Sequence, residues 1–206
     1  MYANYIGQNP VYADYLLNEW GYEKRSEHEL FEQFTLSGQQ AGMSWWAILS
    51  KREAYQQAFH YFDIDIVASM TMRDVNKLMS QKSEDETKLV VKNLPKIKSV
   101  IHNAKLIQEL KADGTISSFS EYLWSFVDDK PILNRLRPES DMPIQSEESM
   151  RMGKELKKIG FQFVGPKTMY AMMQSCGLVM DYIVGSKYLA EAEKRLKNRD
   201  GGYQIR

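Results

Sequence analysis

The run Leu156-Lys157-Lys158-Ile159-Gly160-Phe161-Gln162-Phe163-Val164-Gly165-Pro166-Lys167-Thr168 has the residue types, in the order, that an anion site needs. One helix is expected to stop at Gly160, a short apolar turn follows, and Val-Gly-Pro-Lys-Thr opens the next helix. Gly165 lets a foreign backbone come close, and Pro166 occupies a first helical position where its missing N–H costs nothing. The free N–H groups after it, with the helix dipole behind them, attract an anion. Lys167 and Thr168 stand where they reinforce that attraction, and Lys157 flanks it. This is the layout of a helix-hairpin-helix, which holds a nucleic-acid backbone without reading bases. The same residues also describe a plain glycine-proline joint between two helices, with the lysines on a solvated face. Taken alone, the segment favours the plain joint.

Other residues offer little chemistry by themselves. His28, His60 and His102 are scattered over expected helices, where surface or capping roles suit them better than ligation. Cys176 is the single cysteine, which rules out an internal disulfide and fits a reducing cytoplasm.

Helical periodicity dominates the elements that must position these groups. Ser26 with Glu29 reads as a capping box ahead of Leu30, Phe31 and Phe34. A second helix is expected after Gly42, with Trp45, Ile48, Leu49, Tyr55 and Phe59 facing inward. Thr71 with Asp74 reads as another box, and Pro95 suits the first turn of a long helix carrying Ile97 to Leu110. Ser118 with Glu121 starts a helix burying Phe119, Tyr122, Leu123 and Phe126. From about Ser146 a helix has acids in its first turn and lysines in its last, as the dipole favours. After Gly165, Met169, Met172, Met173 and Cys176 share one face. Alternation of strand length is scarce, so the expected class is all-α. Gln81 to Lys88 and the three-proline stretch Asp128 to Pro143 read as loops, and the polar tail Glu191 to Arg206 as fraying.

A chain of 206 residues suffices for one sizeable core or two small lobes. Its 43% hydrophobic and 12% aromatic content is that of a globular protein. No stretch approaches the roughly 20 apolar residues of a membrane span. Met1-Tyr2-Ala3-Asn4 opens without a basic region and apolar run, so no secretory signal is expected and the cytoplasm is the expected location. Basic and acidic residues number 27 each, giving zero formal net charge. A nucleic-acid surface here has to be a local patch, since overall charge supplies no basic footprint.

Several segments together resemble the 3-methyladenine DNA glycosylase I family. They are Asn9-Pro10-Val11-Tyr12, Tyr15, Asn18-Glu19-Trp20-Gly21, Gly38-Gln39-Gln40-Ala41-Gly42-Met43-Ser44-Trp45, Lys51-Arg52-Glu53-Ala54-Tyr55, Asn103-Ala104, Trp124-Ser125-Phe126-Val127, the hairpin, and Gln174-Ser175-Cys176-Gly177-Leu178. They occur in the family's order, from about Asn9 to about Gly185. The resemblance implies a helical fold of helix-hairpin-helix glycosylase type over residues 1–206. One lobe would come from both termini (about 1–25 and 160–206) and a central lobe from about 26–159, with a base pocket between them. It implies hydrolysis of the N-glycosidic bond of 3-methyladenine in double-stranded DNA by a monomer, with the free base as product. The base must leave the stack, because its bond is unreachable inside a duplex.

The chemistry favours aromatic residues over a strong catalytic base. Methylation at N3 makes the purine cationic, which weakens the glycosidic bond and suits electron-rich ring faces worth roughly 0.5–2 kcal/mol per contact. By resemblance Tyr15, Trp20 and Trp45 line the pocket. Met43, after the Gly42 turn, fills the gap left by the extruded base. Trp46 and Trp124 are expected in the core.

Two departures matter. Ser37 stands where the family places a base-contacting glutamate. A hydroxyl in place of a carboxylate would forgo about 1.5–3 kcal/mol, or ten- to hundredfold. Glu32, five residues earlier and about 140° around the helix, is poorly placed to substitute. Glu19 is the reserve carboxylate. The family's zinc ligands, two cysteines and two histidines, fall on Ala3, Leu16, Tyr182 and Ser186, so no zinc is expected. Leu16 and Tyr182 are expected to pack together instead. Asp181, some sixteen residues after Gly165, lies loosely where other helix-hairpin-helix glycosylases carry a catalytic aspartate, and this family does not rely on one. Three functions follow: an alkylpurine glycosylase, a relative that binds DNA or damaged bases without excision, and a helical interaction module that has left DNA behind.

Overall fold

Asn9 opens the first helix: its side-chain oxygen accepts from the N–H groups of Val11 and Tyr12, both at 3.1 Å, and Pro10 follows. This is α1 (Pro10–Asn18) in a computed structural model that describes residues 9–206. Ala3 lies outside the described residues. α2 (Glu27–Gln40) follows Ser26, whose side chain makes no cap bond. Glu27 instead turns to other elements, accepting from the Phe119 N–H at 2.6 Å and the Lys111 ammonium at 2.8 Å. Every residue of α2 from Leu30 to Gln39 is buried, which makes it the central helix.

The single helix expected from Gly42 to Phe59 is two, α3 (Trp45–Leu49) and α4 (Arg52–Ala58). Lys51, at φ −108° and ψ 6°, leaves helical geometry, and its N–H closes a tight turn onto the Ile48 carbonyl at 3.0 Å. α5 (Ile64–Ser69) and α6 (Met72–Ser80) come next, the second on the expected Thr71–Asp74 capping box. α7 (Leu94–Ala112) starts on Asn93 and Pro95, and α8 (Phe119–Ser125) on Ser118. α9 (Glu147–Ile159) begins with Ser146 and Ser149 capping each other and ends at left-handed Gly160 (φ +119°). α10 (Pro166–Ser175) and α11 (Lys187–Lys197) complete the helices.

The expected all-α class is corrected by a small parallel sheet. β1 (Ile132–Leu136) lies between β2 (Val179–Ile183) and β3 (Gln204–Ile205), with Ile132 opposite both Val179 and Gln204. β1 falls in the proline-rich stretch read as a loop. β3 falls in the tail read as fraying, which Arg206 instead fastens to Glu148 at 2.6 Å. Four successive residues of β2, Val179 to Tyr182, are buried, so no alternation marked the strand.

Most helices share one core containing Leu30, Tyr55, Ile97, Phe119, Trp124 and Met172, while a smaller cluster joins Leu133, Met180 and Tyr182 to Leu189, Ala192 and Leu196 of α11. Trp124 is in the core as expected, its indole N–H donating to the Lys24 carbonyl at 2.9 Å. Trp46 is not: it is 38% exposed beside the Tyr12 ring. Among the described residues no helix is long and apolar enough to cross a membrane.

Gly153 lets α9 lie against the start of α10. A Cβ there would stand 2.7 Å from the Val164 carbonyl oxygen and 3.1 Å from the Pro166 nitrogen, both backbone atoms. Gly153→Ala gains about 1 kcal/mol of helix propensity. The overpacking outweighs that gain, and the net loss is about 1–2 kcal/mol. A thermal melt with an unchanged or higher midpoint would contradict this.

Candidate functional site

Helices α1, α2, α3 and α10 converge on a cavity of about 160 Å³. Tyr15 of α1 and Trp45 of α3 form its aromatic wall, ring centroids 5.3 Å apart and tilted by 42°. Trp20, just past α1, and Ser37 and Gln40 of α2 also line it, with Ala171, Gln174 and Ser175 from α10. The structure thus brings together four of the expected base-binding residues: Tyr15, Trp20, Ser37 and Trp45. Burial pushes the Tyr15 phenol well above its usual range, so it stays neutral and can donate a hydrogen bond. Ser37 is 3% exposed. Among the described residues no acidic side chain lines the cavity.

Glu19 serves elsewhere. Both its oxygens accept from Arg52 Nη1, at 2.7 and 2.8 Å, and the same guanidinium holds Glu32 through Nε at 2.8 Å. Glu19 borders a separate cleft beside Trp46 and Arg52, not the Ser37 cavity. Glu32 is spent on Arg52 and Gln56.

The end of α2 is built by a residue that the sequence reading passed over. Lys96 of α7, 6% exposed, donates from Nζ to the carbonyls of Gln39 at 2.6 Å and Ala41 at 2.7 Å. A cation there satisfies orphan carbonyls and suits the negative end of the helix dipole. Gln39 answers by donating to the Lys96 carbonyl at 2.9 Å and accepting from the Tyr55 hydroxyl at 3.3 Å. Beyond this clamp the chain turns through Gly42 (φ +78°), and the Met43 N–H bonds to the Gln40 carbonyl at 2.7 Å. Met43 stands 37% exposed on the rim.

The α9–α10 hairpin abuts the same helix. Gly38 on α2 has no Cβ, and one placed there would come within 3.2 Å of the Phe163 Cβ. Asn103 pins the turn, donating to the Gln162 carbonyl at 3.1 Å and accepting the Gln162 N–H at 2.9 Å. His102 Nε2 lies 2.9 Å from the Gly160 carbonyl, a capping role, and His28 and His60 are exposed. Gly165 is the N-cap of α10 with no side-chain cap, and Gly165, Pro166, Lys167 and Lys157 are exposed while Thr168 is half-buried. Pro166, Lys167 and Thr168 thus open α10 behind Gly165, and Lys157 lies in the last turn of α9.

The described positions expected to replace a zinc site do not fit a metal. Leu16 offers no donor atom, and the Ser186 hydroxyl accepts the Leu189 N–H at 3.2 Å to cap α11. Tyr182 is buried, its ring edge-on to Trp20 at 5.8 Å, and burial raises its phenol. Leu16 and Tyr182 face a common apolar cavity of about 290 Å³. Among the described residues no group of three or more His, Cys, Asp or Glu could hold a metal ion.

Asp181 is 1% exposed on β2 and sits in no open cleft. Its carboxylate accepts from Asn134 Nδ2 (2.7 Å), the Tyr170 hydroxyl (2.8 Å) and Gln174 Nε2 (2.7 Å).

The frame is thus mostly helical, with an aromatic-walled cavity against α10, whose start at Gly165 is exposed. The methyladenine glycosylase family model matches residues 5–188, and the chain belongs to this family. It is 38% identical over 179 residues to a DNA-3-methyladenine glycosylase of Haemophilus influenzae, covering 87% of this chain and 92% of that protein. It is likewise 38% identical over 183 residues to DNA-3-methyladenine glycosylase 1 of Escherichia coli, covering 89% and 94%. Among solved structures, a tyrosine-to-phenylalanine variant of 3-methyladenine DNA glycosylase I in complex with 3-methyladenine superimposes with a TM-score of 0.80 at 30% identity, over 91% of this chain and 97% of that one.

Proposed function

We propose that the protein is a DNA base-excision glycosylase that hydrolyses the N-glycosidic bond of 3-methyladenine or a related alkylated purine. The observation that carries this reading is the Tyr15–Trp45 wall facing Ser37 in one cavity, in a chain of this family. The flipped base stacks on Trp45 and Tyr15 with Trp20 beside it, and Ser37 contacts its edge. Because the leaving base is already cationic, the site needs to hold and orient it while water attacks the sugar carbon. Strong general-base help is unnecessary.

The α9–α10 hairpin acts as a helix-hairpin-helix. The free amides after Gly165, with Lys167, Thr168 and Lys157, hold the phosphates of double-stranded DNA, and Gly42 and Met43 occupy the gap in the duplex. We propose that the chain works as a monomeric, cytoplasmic two-lobed domain without structural zinc. Support for the last point is that Leu16 offers no donor atom and the Ser186 hydroxyl is occupied in capping α11.

A second reading, a relative that binds damaged bases without excising them, is favoured by the lack of an acidic residue around the cavity. A helical interaction module without DNA binding is tested by salt. Duplex affinity should fall steeply as salt rises, and Lys167→Gln should lower the log–log slope by about 1. Affinity insensitive to salt would contradict the proposed DNA face.

A further inference from the structure

Gln174 lines the cavity beside Ser37, and its amide is not free to choose an orientation. A carboxylate accepts only, so the 2.7 Å contact with Asp181 Oδ2 must be made by the NH2 group. Asp181 in turn is fixed by Asn134 and Tyr170 and lies almost wholly out of solvent. Burial and the neighbouring Asp181 carboxylate both push the Tyr170 phenol upward, so that donor keeps its proton. The remaining acceptor, Gln174 Oε1, takes no hydrogen bond from the described residues and is not among the buried polar atoms left unsatisfied. It is therefore the polar atom that Gln174 offers to the cavity.

On the reading that this cavity takes the extruded base, we infer that Gln174, oriented by Asp181, is the specificity determinant for a 6-aminopurine in a pocket that has no carboxylate. A carboxamide pairs with adenine by accepting from the exocyclic amine, and its second N–H is suited to the adjacent ring nitrogen. A 6-oxopurine puts an acceptor against Oε1, and the Asp181 contact prevents the amide from flipping to receive it. Asp181 is thus a positioning residue, which accounts for a buried carboxylate at a site where no step of the proposed reaction uses one.

The test compares the affinities of free 3-methyladenine and 3-methylhypoxanthine for wild type, Gln174→Met and Asp181→Asn, by fluorescence titration or calorimetry. Wild type should prefer the amine by about ten- to hundredfold, the effect of leaving a buried acceptor opposed rather than satisfied. Gln174→Met should abolish the preference. Asp181→Asn, whose amide can donate as well as accept, should allow Gln174 to flip and shrink the ratio about tenfold. Both ligands sample the same folded population, so any loss of stability cancels in the ratio. A wild-type preference retained by both variants would overturn the inference and leave the base pocket standing. No binding of either purine by wild type would overturn the base pocket and the inference together.

Discussion

Trp45→Ala should lower release of 3-methyladenine from methylated duplex DNA by about 100-fold in kcat/KM. The indole is one of two rings forming the aromatic wall, 5.3 Å from Tyr15. Removing a stacking ring costs about 1–3 kcal/mol per base. The cation–π attraction of an alkylated purine adds roughly 0.5–2 kcal/mol. The middle of the combined range, about 3 kcal/mol, exceeds the roughly 2.7 kcal/mol of a hundredfold change. The residue is only half-buried, so the fold tolerates its truncation and circular dichroism should be unchanged. Release within a few-fold of wild type would mean that the base stacks elsewhere.

Ser37→Glu should raise kcat/KM for the same substrate by about ten- to hundredfold. A carboxylate at this 3%-exposed position both accepts from the base and offsets its charge, a difference of about 1.5–3 kcal/mol over a hydroxyl. Burial without a partner disfavours the ionised form, so unliganded protein should lose stability even as the complex gains it. A melt in the presence and absence of free base separates the two effects. Activity equal to or below wild type, with the variant folded, would show that the pocket has been rebuilt around its neutral residues.

Which features were legible followed the range of the forces involved. Helix starts marked by local residue types were readable: Thr71 with Asp74, Pro95 in a first turn, Ser118 with Glu121, and Gly165 before Pro166. Ser26 does start α2 as its N-cap, but its side chain makes no cap bond, so the expected box with Glu29 does not form. The sheet was hidden for two reasons: β2 is buried on both faces and shows no period, and β3 exists only because the tail returns to β1.

At the site, the aromatic set could be transferred by resemblance, but partnerships could not. Glu19 looked available until Arg52 claimed it from thirty-three residues away. Lys96 sits fifty-seven residues from Gln39 and reads as one more surface lysine, although it fixes the turn that presents Met43. Asp181 drew attention for a catalytic role, whereas its contacts run to Asn134, Tyr170 and Gln174. Trp46 was expected in the core, as a large apolar ring usually is. It instead stands 38% exposed on α3, beside the Tyr12 ring.

The most direct measurement is single-turnover release of free 3-methyladenine from methylated duplex DNA by the wild-type protein. Release of the base with an equal number of abasic sites, slowed about 100-fold by Trp45→Ala, is the result the proposed function predicts. Duplex binding without release, with excision appearing only in Ser37→Glu, would contradict it and mark a scaffold that holds damaged DNA without cutting the base away.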